Sequence, residues 1–415
     1  MKKIIILFLV ILVRQNISAQ TVFTNYDAIV HLDINAQLYV EGDVLIENTG
    51  VIENQGTISL ENDWINNSLF NVFLNSLQGN VELVGNNQNI TGINPTKFYN
   101  LKSTNVARKT LGVETWVENE LDITNSEIVL NSNTIHLFNT DPAALLWNGG
   151  FVSGDSLGGY LLRSVDRSQS YWFPVGNSNL ANFYRAVSFV PSSSDSSVIG
   201  VRLAERDHEF DFSGVSATGS VGPFPFAQRI SNITENNSNF YHNIARFDGT
   251  ANGVSRIFYF NSDESAAKKF NAVSEWDNGV SKWSVANFEK NVAALNASIG
   301  NPENVMKSQS LDFSNDVYVL STKNEIDVVV PDIFSPNKDG VNDVLFAFSD
   351  KALSFQMYIY NRWGELVFET KDQYEGWDGT FRGKDAQSGV YVYFISVELP
   401  EQGSITKKGD ITLVR

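Results

Sequence analysis

The chain has 415 residues, is 42% hydrophobic and 19% charged, and carries a formal charge of −17. That length admits about two to four domains, and the composition suits a folded chain rather than a disordered one. The acidic balance argues against nucleic-acid binding, which needs clustered Lys and Arg, and is compatible with cation binding or plain solubility. The absence of cysteine excludes disulfides, thiolate nucleophiles and Cys-ligated zinc.

The first stretch, "MKKIIILFLVILVRQNISAQ", sets Lys2 and Lys3 before an apolar run from Ile4 to Val13 and then a polar stretch ending in small residues. Spanning a bilayer takes about 20 apolar residues, so the run is too short, and the order predicts a secretory signal peptide cleaved after Ala19. The mature chain is therefore expected to pass the inner membrane to the periplasm and to end up secreted or at the outer surface.

Helical periodicity is scarce along the rest, and an all-β protein is expected. Over 20–141 short apolar runs recur, around Leu38, Val40, Val44, Ile46, Ile58 and Leu60, then Leu111, Val113, Val117, Leu121, Ile128 and Ile135. Such closely spaced strands can stack as a β-solenoid, although the repeat is irregular enough that a multi-hairpin sandwich stays open. Asn-rich turns fit either fold, because Asn tolerates the left-handed conformation. Over 142–321 the strand patterns lengthen, which predicts a β-sandwich with a small helix near "SDESAAKKF". There, Asp277-Asn278-Gly279 between Trp276 and Trp283 reads as a hairpin.

The third region begins near Glu325, after the polar "STKNEI". Phe355, Met357 and Ile359 alternate with Gln356, Tyr358 and Tyr360, and Val390, Val392 and Phe394 alternate with Tyr391, Tyr393 and Ile395. These strands predict a compact Ig-like sandwich over 325–415. Its "FSPNKDGVNDVLFAF" gathers Asn337, Asp339, Asn342 and Asp343 around Gly340. An EF-hand alignment on Gly340 puts Phe346 where the bidentate Glu belongs. An irregular calcium site on those four residues and a simple turn, with Pro336 fixing φ and Asx side chains capping the backbone, are both compatible.

Four separated motifs then occur in order: "PDIFSPNKDGVND", "IYNRWGELVFE", "GWDGTFRGKDAQSGVYVYFI" and "KKGDITLVR". Together they closely resemble the gliding-motility-associated C-terminal domain of Bacteroidota, the type B sorting domain of the type IX secretion system, over about the last fifth of the chain. The resemblance implies a β-sandwich that directs a folded cargo through the outer membrane with dedicated membrane-associated partners. The family positions it carries over are Pro336, Asn337, Asp339, Gly340, Asn342 and Asp343, then Asn361, Arg362, Trp363 and Gly364. Trp377, Asp378, Gly379, Gly383, Gly389, Tyr391 and Gly409 follow. Gly364 and Gly379 are expected in turns and Trp363 and Trp377 in packing. Arg362, Lys407, Lys408 and Arg415 are the expected contacts with an acidic or membrane-proximal partner.

No catalytic constellation accompanies these motifs. His31, His136, His208 and His242 are scattered, with no H-E-x-x-H, and no G-x-S-x-G elbow or P-loop occurs. Asp63 beside Trp64, and Glu118, Glu120 and Asp122, could supply a carboxylate pair for sugar hydrolysis, but they read equally as polar turns and edges. Trp116, Trp147, Trp172, Trp276 and Trp283 could stack on sugars or fill cores. The reading is a secreted or cell-surface non-enzymatic protein, of adhesin or surface-scaffold type. The alternative is a glycan-binding or carbohydrate-active protein with the same export domain.

Overall fold

The computed structural model describes residues 4–5 and 21–415, apart from 75–77, 107, 155–157, 181–183, 212–221, 231, 266–268, 295, 325–327, 350–351 and 400–402. The expected leader, 1–19, thus lies outside the described residues except for Ile4–Ile5. Among the described residues there is no α-helix, only strands and short 3-10 turns, and no helix is long and apolar enough to cross a membrane. The chain divides into two compact units, 1–323 and 324–415.

The first unit opens as a β-solenoid, which settles the choice left by the sequence, because consecutive coils pair parallel and not as hairpins. Seven strands, Thr21–Tyr26, Gly42–Asn48, Trp64–Ser68, Gln88–Gly92, Arg108–Leu111, Glu127–Val129 and Phe151–Ser153, form one parallel sheet. Gln37–Val40, Thr57–Leu60, Asn80–Leu83, Thr96–Ser103, Thr115–Asp122, Ile135–Leu137 and Leu161–Val165 stack parallel in a second. Inward side chains from both, among them Val44, Ile58, Val81, Ile90, Phe98, Leu111, Val117 and Ile135, fill one continuous core. Trp64 is fully buried there, 5.6 Å from the Phe73 ring and 5.2 Å from that of Phe98, and its indole N–H donates to Thr96 Oγ1 at 3.0 Å.

The second solenoid sheet does not stop at the last coil. Leu161–Val165 pairs antiparallel with Ser197–Ala204, and the sheet runs on through Tyr241–Gly249, Val317–Lys323, Ala272–Asp277 and Lys282–Val285; with Leu145–Leu146 and Ile233–Asn236 paired beside this path, it has 14 strands. A five-stranded antiparallel sheet packs across it, in the order Tyr171–Phe173, Val187–Pro191, Gly253–Tyr259, Asn304–Ser308, Phe288–Val292. The expected hairpin is present, with Trp276 opposite Trp283 and Asp277 Oδ1 accepting from Gly279 N at 2.8 Å. Both indoles are core side chains. Near "SDESAAKKF" the chain makes a single 3-10 turn, Asn261–Asp263, and 266–268 lie outside the described residues.

The second unit is built on a five-stranded sheet in the order Ile333–Phe334, Gly403–Leu413, Gly389–Leu399, Ser354–Tyr360, Leu366–Thr370. Two small two-stranded ladders, Val328–Val329 with Phe348–Ser349 and Thr380–Phe381 with Lys384–Asp385, complete it. Phe355, Met357 and Ile359 point inward as their alternation predicts. On Gly389–Leu399 the inward set is Tyr391, Tyr393, Ile395 and Val397, while Val390, Val392 and Phe394 face outward.

Candidate recognition site on the C-terminal domain

The NKDG loop is a nest of Asx turns. Asp339 Oδ1 accepts from Val341 N at 2.8 Å, and Asn337 Oδ1 accepts from Asp339 N at 2.9 Å. Asp343 reaches back across the loop, its Oδ1 accepting from Lys338 N at 2.6 Å and its Oδ2 from Gly340 N at 2.8 Å. Those bonds hold Lys338, Gly340 and Asn342 at positive φ. The Val341 amide, chiefly, keeps the Asp339 carboxyl below its usual range. Among the described residues no third acid or imidazole joins the two carboxylates.

Trp377 organises the interior behind this loop. Its ring is buried 5.3 Å from Phe334 and 4.8 Å from Tyr391, and its N–H donates to Thr380 O at 2.8 Å. Asp378 Oδ1 caps the next turn, accepting from Thr380 N at 2.9 Å. Gly379 follows at φ 72°, and a Cβ there would lie 2.7 Å from Pro336 Cγ, 3.1 Å from Leu413 Cδ1 and 3.2 Å from an Arg415 nitrogen. Only glycine meets both demands, the left-handed backbone and the close approach. Arg415 then closes the corner by donating to Gly379 O at 2.8 Å and Ala386 O at 3.0 Å. Gly409 lies against the Tyr393 ring, and the Tyr391 hydroxyl donates to Gln387 O at 2.7 Å.

Asn361 shapes the remaining motif. Its Oδ1 accepts from both Trp363 N and Glu365 N at 3.0 Å, and Gly364, at φ 78°, donates to Asn361 O at 2.9 Å. This tight hairpin end pushes Arg362 and Trp363 into solvent. Trp363 is 80% exposed, and the Arg362 guanidinium lies 5.1 Å from its ring centre. Trp363 therefore does not pack as the sequence suggested; Trp377 does. A depression of about 360 Å³ runs from the hairpin end, lined by Arg362, Trp363, Val367, Phe381, Asp385 and Gly389.

Residues 328–413 match the family model of the CHU_C type IX secretion signal domain. The C-terminal unit is a type IX sorting domain. The match indicates export through the type IX machinery to the outside of the cell, as a secreted or surface protein. No curated protein and no solved structure matches the chain.

Within the sorting domain the motif residues separate into two groups. Pro336, Trp377, Asp378, Gly379, Tyr391, Gly409 and Arg415 hold the fold, and Arg362 and Trp363 project from it. Of the expected charged contacts, Arg362 and Lys408 are exposed, whereas Lys407 donates to Val328 O at 2.5 Å and Arg415 is the corner latch. The sequence reading overlooked the outward row of Val392 and Phe394, 49% and 40% exposed, beside Tyr358 and Tyr360. The signal was there, in a strand apolar on both faces.

In the first unit the candidate acids serve the solenoid. Asp63 binds the next coil through Asn89 N at 2.7 Å and Asn89 Nδ2 at 2.9 Å. Glu118 pairs with Lys97, and Asp122 accepts from Thr124 N at 2.9 Å. Glu120 lies on the same strand, Thr115–Asp122. The histidines have separate local partners. His31 contacts Asp33 and Glu53, His136 contacts Ser164, His208 bonds Phe224 O, and His242 bonds Arg185 O.

Proposed function

We propose that this protein is a non-enzymatic passenger of adhesin or surface-scaffold type, exported first by its N-terminal signal peptide and then by its C-terminal sorting domain. The observation that carries the export half is the Arg362–Trp363 hairpin end. A cation and an indole held in solvent by a rigid Asn361 turn form a recognition feature, because exposing a large aromatic has no folding benefit and Trp and Arg are enriched where partners dock. We assign this end the contact with the outer-membrane machinery and its associated partner proteins. The passenger half is supported by the solenoid and sandwich, in which Asp63, Glu118, Asp122 and the four histidines have local or coil-to-coil partners, and the partners we propose for it are surface glycans or matrix.

The test is a reporter fused to residues 325–415 behind a signal peptide, expressed in a bacterium with an intact type IX system. Release or surface display that disappears in a secretion-deficient strain supports the reading. Accumulation in the periplasm of the competent strain overturns it.

A further inference from the structure

The outer face of the five-stranded sheet holds a cleft of about 650 Å³. Its floor is one cross-strand row: Trp172 lies opposite Ser188, Ser188 opposite Arg256, Arg256 opposite Lys307, and Lys307 opposite Glu289. Neighbouring strands are about 4.8 Å apart, so the row from Trp172 to Lys307 extends roughly 14 Å. Trp172 is fixed by its stack on Phe258, ring centres 5.1 Å apart, and by Trp147 at 5.5 Å. Across from it stand Asn291, Val292 and Asn296, with Val292 87% exposed.

We propose that this cleft binds an acidic polysaccharide, one bearing carboxylate or sulfate groups. Three features select that ligand. First, Arg256 and Lys307 make no ion pair with an acid among the described residues, on a chain whose formal charge is −17. Glu289, at the far end of the row, is turned to Gln309, from which it accepts at 3.0 Å. The cleft thus holds two cations against one carboxylate, a net positive charge to neutralise. Second, Trp172 offers an indole beside them, the surface on which the C–H face of a sugar ring stacks. Third, the three central strands under the cleft, Val187–Pro191, Gly253–Tyr259 and Asn304–Ser308, are paired on both sides, so recognition on this face falls to side chains and not to strand addition. Nucleic acid, with its dense phosphates, needs a far wider basic surface than a pair of cations. The site lies in the passenger and does not depend on the export assignment.

The test uses the purified mature chain in affinity gels containing polygalacturonate, chondroitin sulfate or neutral dextran, followed by calorimetry on whichever acidic polymer retards it. The expected result is retardation by one or both acidic polymers and none by dextran, weakening with added salt. The Arg256→Gln/Lys307→Gln double variant should lose about tenfold in affinity or more, and Trp172→Ala should weaken binding to both acidic polymers while Trp172→Phe recovers part of it. Lys282→Ala, an exposed cation on the other sheet, should bind as the parent does, and matching thermal unfolding of all variants guards against misfolding. Retardation by polygalacturonate alone or by chondroitin sulfate alone identifies the acid group. No retardation by either polymer overturns the proposal, as does binding to dextran of equal strength or a double variant that binds like the parent.

Discussion

Asn119 donates its side-chain N–H to Asn100 Oδ1 at 2.8 Å, and Asn100 donates to Asn80 Oδ1 at 2.9 Å in turn. Asn139 adds a further rung by donating to Asn119 Oδ1 at 3.1 Å. Four consecutive coils are thereby tied through one column of amides, in which Asn100 and Asn119 each give to the coil before and receive from the coil after. The column locks the register of coils whose lengths differ. Asn100→Ala breaks it in the middle and strands one donor and one acceptor, so the passenger should lose about 1–3 kcal/mol of stability. Asn139→Ala removes an end rung and the local bond from Asp141 N to Asn139 Oδ1 at 2.9 Å, but leaves the rest of the column intact and should matter less. Urea unfolding of the two variants side by side measures this, and equal losses would show that the column does not act as a unit.

Gly379→Ala should strongly destabilise the sorting domain. The added methyl meets Pro336 and Leu413 while the backbone is held at positive φ, a combination that costs about 1–3 kcal/mol or more. The melting temperature of the sorting domain in the full chain and the export of the reporter should fall together.

Arg362→Ala and Trp363→Ala should do the opposite. Both side chains are exposed, so stability should change by no more than about 0.5 kcal/mol. Export of the reporter should nevertheless drop, most in the double variant. A stable double variant exported at the parental rate would remove this hairpin end from the recognition surface.

The NKDG loop should keep its shape without a cation, because Asp339 and Asp343 already accept backbone N–H groups. Chelator should leave the unfolding temperature of the sorting domain in place, and Asp343→Ala should lower it with or without calcium. A chelator-sensitive melting point that Asp343→Ala abolishes would instead establish a calcium site.

Burial pushes the His242 imidazole down to about 4 while its ring bonds Arg185 O, and burial does the same to His136, also to about 4. Unfolded, each titrates near 6.5, so between about pH 6.5 and 4 the unfolded chain binds more protons and stability rises with pH. Their contribution is complete above about 6.5 and is lost as the pH falls towards 4. His242→Gln keeps a donor for the carbonyl without the titration, and its melting temperature should fall less steeply over that window.

Much of the β architecture was legible because alternation has a period of two: Phe355, Met357 and Ile359 alternate with the more polar Gln356, Tyr358 and Tyr360, and the apolar set is the buried one. The same rule could not choose a face for Gly389–Leu399, where both sets are apolar. The buried set is the one that meets Trp377, through Tyr391. The solenoid was readable only as one of two options, since its coils are unequal: Val44 pairs with Trp64, but Trp64 pairs with Ile90, across a longer insertion. Trp363 was misjudged because residue type alone favours burial, while the Asn361 turn that lifts it outward is set by hydrogen bonds that the sequence shows only as a motif. Nothing local announced that Leu161–Val165 would pair parallel on one side and antiparallel on the other.

That strand gives the solenoid a direction. Beyond it the sheet turns antiparallel and ends at Lys282–Val285, whose Trp283 is bridged in turn by Arg229. At the opposite end, among the described residues, the terminal strands of the two solenoid sheets are Thr21–Tyr26 and Gln37–Val40. Two chains meeting through those strands would meet head to head, which saturates the edge in a pair. A head-to-tail polymer needs a matching coil at the other end, and the sandwich occupies that place.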